Sequence, residues 1–402
     1  MQRVFTLNDL FSANVGDGLL AESLIRNLAT VLPEATVAGL DIDGKPGYPS
    51  ESGDAAARGP QKLARYLPPL VRDRLKKMVV ERRMGRFLAS AVDVDPSVST
   101  ALVIGGGQVI TATSDYFPNR IAAVAKFAMA HRLTVVIYAV GVSSLATWEP
   151  SAARTLVSAV RDLRQAGLLK GVYVRDALSQ THWNQVFGFA PAMALDPGLI
   201  ADSLVPKHPR TPHSERPRSV GLGVMEPQVA SRIMKSTSPI DESFYLDAIL
   251  ALDRAMPPEG SITLFTNGEL EDEAFKDRIL TRLGRLDSGR QVACASRPRS
   301  PVELLELIRR FDVIAAQRMH ANIGAFALGV PHVGIGWDPK VKSFFQLTHQ
   351  PERFLDAQGL NAQVLVDTVL SIAGQPFARP QYDEVRAQAL GGIQALASAM
   401  KS

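Results

Sequence analysis

Two doubly wound α/β domains facing a cleft are what this sequence predicts, and three observations carry the prediction. Short apolar, β-rich runs alternate with amphipathic helical stretches, the pattern of parallel sheets covered on both faces. The alternation occurs twice, once on each side of a proline-rich joint. A length of 402 residues exceeds one ordinary core, and 46% apolar against 21% charged residues can fill two.

In chain order, the first half offers strands at 3–7, 101–104, 134–140, 171–175 and 192–195, with helices near 18–31, 119–132, 151–166 and 177–187. The second half repeats the scheme, with strands at 219–224, 261–266, 291–295, 312–316 and 332–337 and helices near 242–255, 271–285, 301–310 and 321–328. Between them, 206–218 carries four prolines in thirteen residues and no apolar periodicity, so it reads as the linker. The domains are then 1–205 and 219–380, with a last helix after the Pro376–Pro380 break returning residues 382–402 to the first domain. A polar stretch, 44–61, reads as a long surface loop. Each half is Rossmann-like, and the pair has the GT-B-like arrangement of many sugar-nucleotide transferases. In such sheets ligands bind outside the carboxyl ends of the strands, so chemistry is sought in the loops that follow them.

The richest of those loops follows 312–316. There Arg318-Met319-His320 falls in the turn before a helix, and Gly329 and Pro331 end that helix. An arginine and a histidine at a helix N-terminus combine a bidentate anion fork, a proton donor and exposed first-turn N–H groups. Such a set suits a substrate bearing phosphate and carboxylate. The competing reading pairs Arg318 with a neighbouring acid and leaves His320 as a cap. Downstream, Asp338 and Lys340 stand where a strand crosses to a helix; Lys340 is placed to meet the same anion, and Asp338 to cap the helix.

At these residues the chain resembles the polysaccharide pyruvyl transferases. Arg318-Met-His-Ala321, Gly329-Val-Pro331, Trp337-Asp-Pro-Lys-Val341 and Phe344 look like that family's C-terminal signature. Asn14-Val-Gly-Asp17, Ile104-Gly-Gly-Gly107, Val174-Arg-Asp176 with Ser179, and Asp196-Pro197 follow the family order in the first half. Alone, each is weak. Gly105, Gly106 and Gly107 permit close backbone approach to a ligand but lack dinucleotide-fold spacing. Asn14 to Asp17 can equally be capping and turn chemistry, and Arg175 can pair with Asp176. In the family the arginine of Val-Arg-Asp is associated with phosphoenolpyruvate. The chain departs from the family after its second-domain first strand, where Met225 and Glu226 stand in place of a frequent arginine, and at the shortened glycine turn Gly141-Val-Ser-Ser144.

The resemblance implies that two hydroxyls of one sugar add to C2 of phosphoenolpyruvate, phosphate leaves, and a cyclic pyruvate ketal remains on a polysaccharide or its lipid-linked precursor. It points to Arg175, Arg318 and Lys340 as donor-binding cations, with Asn14 and Gly105–Gly107 lining the substrate. His320 is the acid and Asp17 the base. No cofactor is implied, and the seven scattered histidines show no metal-ligand spacing, so no metal is expected. The alternative is a GT-B-type glycosyltransferase using a nucleotide sugar, for which Glu271 and Asp272 are the available ribose clamp. A non-catalytic sugar-binding protein fits poorly with cations clustered at strand ends.

The net charge of +4 does not imply nucleic acid as a partner. The one cysteine, Cys294, excludes an internal disulfide framework, and its strand-like setting predicts a buried, inert thiol. Without a signal-peptide pattern or an apolar run of membrane-span length, a cytoplasmic protein is expected. Residues 58–86 hold ten Arg/Lys against two acids, with Leu63, Tyr66, Leu67, Leu70, Val71, Leu75, Met78 and Val79 at helical steps around a Pro68-Pro69 break. One reading packs this stripe on the first domain. The other holds the enzyme peripherally at the inner face of the membrane.

Overall fold

The computed structural model describes residues 2–48, 69–207, 217–234, 238–284, 292–336, 338–375 and 378–401. Of the segments singled out above, most of the loop 44–61, residues 58–68, most of the proline-rich stretch and Trp337 lie outside the described residues, as do the side chains of 69–74 and 76. The chain divides into two compact units. Unit 1 comprises Met1–Ser12, Leu20–Pro197 and Gln388–Ser402; unit 2 comprises Ala13–Leu19 and Gly198–Ala387. The change of unit thus falls at Pro197/Gly198, before the proline-rich stretch, and the residues around Gly16 group with the second unit.

Unit 1 is built on a six-stranded parallel sheet of β1 (Gln2–Asn8), β2 (Ala35–Asp41), β3 (Ser99–Gly105), β4 (Thr134–Val140), β5 (Leu169–Val174) and β6 (Ala192–Met193). Its order is β2-β1-β3-β4-β5-β6. Near-continuous apolar runs form these strands because both faces are covered. One face receives α2 (Pro69–Ala91), α3 (Tyr116–His131) and α4 (Pro150–Gln165), which pack Leu88, Ile121, Val124, Leu156 and Val160 on Phe5, Leu7, Leu102, Ile104, Val135 and Ile137. The opposite face meets α1 (Val15–Val31) and the end of α13 (Arg379–Ala399). A side chain at Gly105 would touch Leu24, and Gly392 lies against Tyr138. α5 (Ala177–Phe187) follows β5.

Unit 2 holds β7 (Ser219–Gly223), β8 (Ser261–Phe265), β9 (Ala293–Cys294), β10 (Val313–Ala316), β11 (His332–Gly336) and β12 (Phe354–Asp356), all parallel, in the order β9-β8-β7-β10-β11-β12. That is the doubly wound order 3-2-1-4-5-6, with its reversal between β7 and β10. One face carries α7 (Glu242–Ala255), α8 (Leu270–Leu283) and α12 (Ala362–Ala373). The other carries α9 (Pro301–Arg309), α10 (Met319–Ala327) and α11 (Pro339–Leu347), seated where Gly221 and Gly334 make room for Phe311 and Phe345. A short α6 (Pro227–Met234) follows β7.

Two expectations change. Cys294 is exposed, because β9 is a two-residue edge strand instead of the five-residue run read from sequence. Of the apolar stripe's described side chains, Leu75, Met78 and Val79 are 39%, 40% and 60% exposed, while Met84 and Leu88, further along the same helix, are buried. Among the described residues, no helix is long and apolar enough to cross a membrane.

Candidate active site

In unit 2 the chain leaves β10 at Ala316, beside the strand-order reversal where doubly wound sheets open to ligands. Gln317 is fixed below the surface by the Tyr245 hydroxyl, which donates to its Oε1 over 2.5 Å. Arg318 then adopts an extended backbone and takes the N-cap position of α10. Met319 and His320 therefore belong to the first helical turn, which begins two residues earlier than the sequence reading placed it. No side chain caps α10, so its leading turn is arranged as helix ends that meet anions are.

His320 and Asp17 are brought together: Nδ1 lies 3.8 Å from Asp17 Oδ1, with the side chains 14% and 32% exposed. The contact depends on Gly16, whose ideal Cβ would stand 2.4 Å from His320 Cβ and 2.6 Å from its Nδ1. The start of α1 is anchored there by the Val15 N–H, which donates to Asn267 O over 3.0 Å. Asn14 serves that same turn: its Oδ1 accepts from Gly16 N at 3.2 Å, and its carbonyl accepts from Asp17 N at 3.0 Å.

Arg318 is held by Asp272, in the first turn of α8. Arg318 Nε donates to Asp272 Oδ2 over 2.8 Å. Nη2 forms an ion pair with that same oxygen at 2.8 Å. The other carboxylate oxygen accepts from Glu226 N at 2.9 Å. Asp272 is fully buried, and burial raises its pKa above the usual carboxylate range, opposed by the Arg318 charge and by these hydrogen bonds. Glu226, standing where an arginine is frequent in the resembled family, takes a 2.5 Å bond from Arg278. Lys340 Nζ lies 3.2 Å from Asp338 Oδ2, while Asp338 Oδ1 accepts from Lys340 N at 2.9 Å and caps α11.

The other candidates belong to unit 1. Gly105–Gly107 close β3 at that unit's own reversal, between β1 and β3. Gly106 and Gly107 adopt φ of +73° and +69°, and Asn8 Nδ2 donates to Gly105 O. Arg175 follows β5 and is 8% exposed; Nε lies 3.4 Å from Asp176 Oδ2, and Nη1 3.8 Å from Asp196 Oδ2. Its guanidinium rests against Gly141, where a Cβ would come within 2.8 Å of Nη2. The shortened glycine turn thus keeps the one glycine this packing requires. Asp176 also caps α5, accepting from Ser179 N at 2.7 Å.

Four residues escape the sequence reading as site-builders: Gly16, Gly141, Asp196 and Asp272. The first three stand inside quoted motifs, but only packing shows what they touch. Asp272 is visible in the sequence as half of an acidic pair, but only as a ribose clamp under the nucleotide-sugar alternative. Among the described residues no group of three or more His, Cys, Asp or Glu is placed to hold a metal. A cavity of about 620 Å³ in unit 2, lined in part by Cys294, Arg297, Glu303 and Arg310, includes neither Arg318 nor His320.

Among solved structures, the chain is similar to a putative UDP-N-acetylglucosamine 2-epimerase from Listeria monocytogenes. That match has 12% identity and a TM-score of 0.55, over 100% of this chain and 96% of that one. It is similar to S. aureus MnaA, solved with UDP, at 8% identity and a TM-score of 0.51, over 98% and 91%. It is similar to Anabaena HepE, solved with UDP-glucose, at 12% identity and a TM-score of 0.50, over 99% and 100%. At such identities the likeness is one of fold: two parallel-sheet α/β domains of the GT-B type. No curated protein sequence matches. The model of the polysaccharide pyruvyl transferases matches residues 14–339, from the Asn14 turn through the Arg318–His320 helix start to α11, and the chain belongs to that family of transferases, with a role in pyruvyl transfer to polysaccharide.

Proposed function

We propose that the donor is phosphoenolpyruvate and that the product is a pyruvate ketal on a sugar of a polysaccharide or its lipid-linked precursor, with phosphate released. The observation that carries this reading is the start of α10. An arginine ion-paired to a buried carboxylate and a histidine beside a second carboxylate stand together at the uncapped start of α10, at the reversal of the sheet.

The proton balance of the reaction gives these groups their tasks. The two acceptor hydroxyls lose two protons. One ends on C3 of the donor, turning its methylene into the methyl of the ketal, and the other ends on the departing phosphate. Arg318 binds the donor's anionic groups, His320 delivers a proton to C3 or to phosphate, and Asp17 receives one from an acceptor hydroxyl. General acid–base help of this kind contributes roughly 10²–10⁴ in rate. Lys340 is proposed as a supporting cation at the same end of unit 2, and Arg175, with Gly105–Gly107, as an anion-binding element of unit 1.

A nucleotide-sugar donor is less well supported. Asp272, half of the pair that would hold a ribose, is buried and engaged by Arg318, while Glu271 pairs with Arg232. Phosphate release from phosphoenolpyruvate, assayed against a panel of glycans and lipid-linked oligosaccharides, tests the proposal. Release dependent on one acceptor is expected. Thermal stabilisation by UDP- or GDP-sugars, with none by phosphoenolpyruvate, would reverse it.

A further inference from the structure

We infer that Asp272 is the positioning residue of the donor site: it sets the angle at which Arg318 meets the anion, and so acts on substrate through that arginine. The inference rests on the donor reading above. Three observations carry it. Asp272 is fully buried, and a buried carboxylate is costly unless paired, so a well-packed apolar residue would serve the fold at least as well. Its contacts fall on one edge of the guanidinium, Nε and Nη2. They leave the arginine side chain 16% exposed. Finally, the carboxylate is itself fixed by Glu226 N, so the end of β7, the first turn of α8 and the start of α10 are tied through one side chain. A guanidinium gripped along one edge cannot rotate, and a planar fork binds carboxylate or phosphate well only when its plane is fixed.

The test is calorimetric titration of phosphoenolpyruvate into the full chain and its variants, with steady-state kinetics alongside. Asp272→Asn is expected to raise the Kd by about tenfold, and to raise KM for the donor by more than it lowers kcat. A Kd within about twofold of the wild type, in a variant whose thermal midpoint shows it folded, would overturn the inference while leaving the donor reading standing. If Asp272→Asn does not fold, the double variant Arg318→Met/Asp272→Asn, which leaves neither charge buried alone, is compared with Arg318→Met. Equal affinities are expected, because Asp272 acts only through Arg318. A further loss of about tenfold in the double variant would show an independent role and overturn the inference. A wild-type chain that does not bind phosphoenolpyruvate would overturn the donor reading and this inference with it.

Discussion

Replacing Gly16 by alanine sets a methyl group against the backbone-proximal atoms of His320, 2.4 Å from Cβ, where no flexible tip can move aside. Overpacking of this kind costs about 1–3 kcal/mol. Gly16→Ala is therefore expected to displace the imidazole from Asp17, lowering kcat with a smaller change in donor affinity, as steady-state kinetics would show. At Arg318 the opposite split is expected. Arg318→Lys keeps the charge but loses the planar fork held by Asp272, so the Kd for phosphoenolpyruvate rises. His320→Ala should leave donor binding nearly intact while turnover falls by about 10²–10⁴; near-normal turnover would remove His320 from the role of acid. At this scale the sequence offered Arg318 and His320 as candidates, because they stand at a strand end where they serve no strand packing. It could not name Asp272 as the partner of Arg318. Forty-six residues separate the two, and no spacing rule links the first turn of α8 to the start of α10.

Elements were legible where punctuation was strong. Asp241 and Ser300 each accept an N–H three residues on, from Phe244 and Glu303, and they fix the starts of α7 and α9; Asn361 does the same for α12 through Val364, a helix the sequence reading does not include. Ser300→Ala should lower unfolding free energy by about 1 kcal/mol, read from denaturant midpoints. By contrast β2, at the edge of its sheet, has a mostly half-buried pattern that offers no clean apolar run. At the edges of the second sheet, β12 has three residues, too few for periodicity to register, and β9 keeps only two of the five residues read as a strand. Helix α2 was legible as an amphipathic helix after Pro68, but not in how its stripe is shared between core and solvent. A peripheral membrane role for its exposed turns, where Leu75, Met78 and Val79 are followed by exposed Arg82 and Arg83, predicts salt-sensitive co-sedimentation with anionic vesicles. Charge reversal at Arg82 and Arg83 should weaken it, and no sedimentation at low salt would end the idea.

For the whole molecule, acid is expected to be destabilising through His332. Its ring is fully buried in unit 2 against Phe345, with Nδ1 3.0 Å from Val330 O, and burial lowers its pKa to about 3. The folded chain keeps this imidazole neutral while the unfolded chain protonates it below its ordinary 6.5. Its contribution is therefore present above that pH and drains away as pH falls towards 3, with a slope of up to about 1.4 kcal/mol per pH unit. A His332→Asn variant, which retains a donor for Val330 O, should start from a lower thermal midpoint and show a flatter acid limb.

The grouping of Ala13–Leu19 with unit 2 also has a consequence in time. Asp17 leaves the ribosome 303 residues ahead of His320, its partner 3.8 Å away in the finished chain. At roughly 5–20 residues per second, the carboxylate waits about 15–60 s for its histidine to be made. Unit 1 can complete its sheet during that interval, but its α13 layer and the seven residues owed to unit 2 must both wait for the last part of synthesis. An arrest series with nascent chains of increasing length should therefore find β1–β6 protected from protease well before any length acquires affinity for phosphoenolpyruvate, and that affinity should appear only once α10 has cleared the exit tunnel.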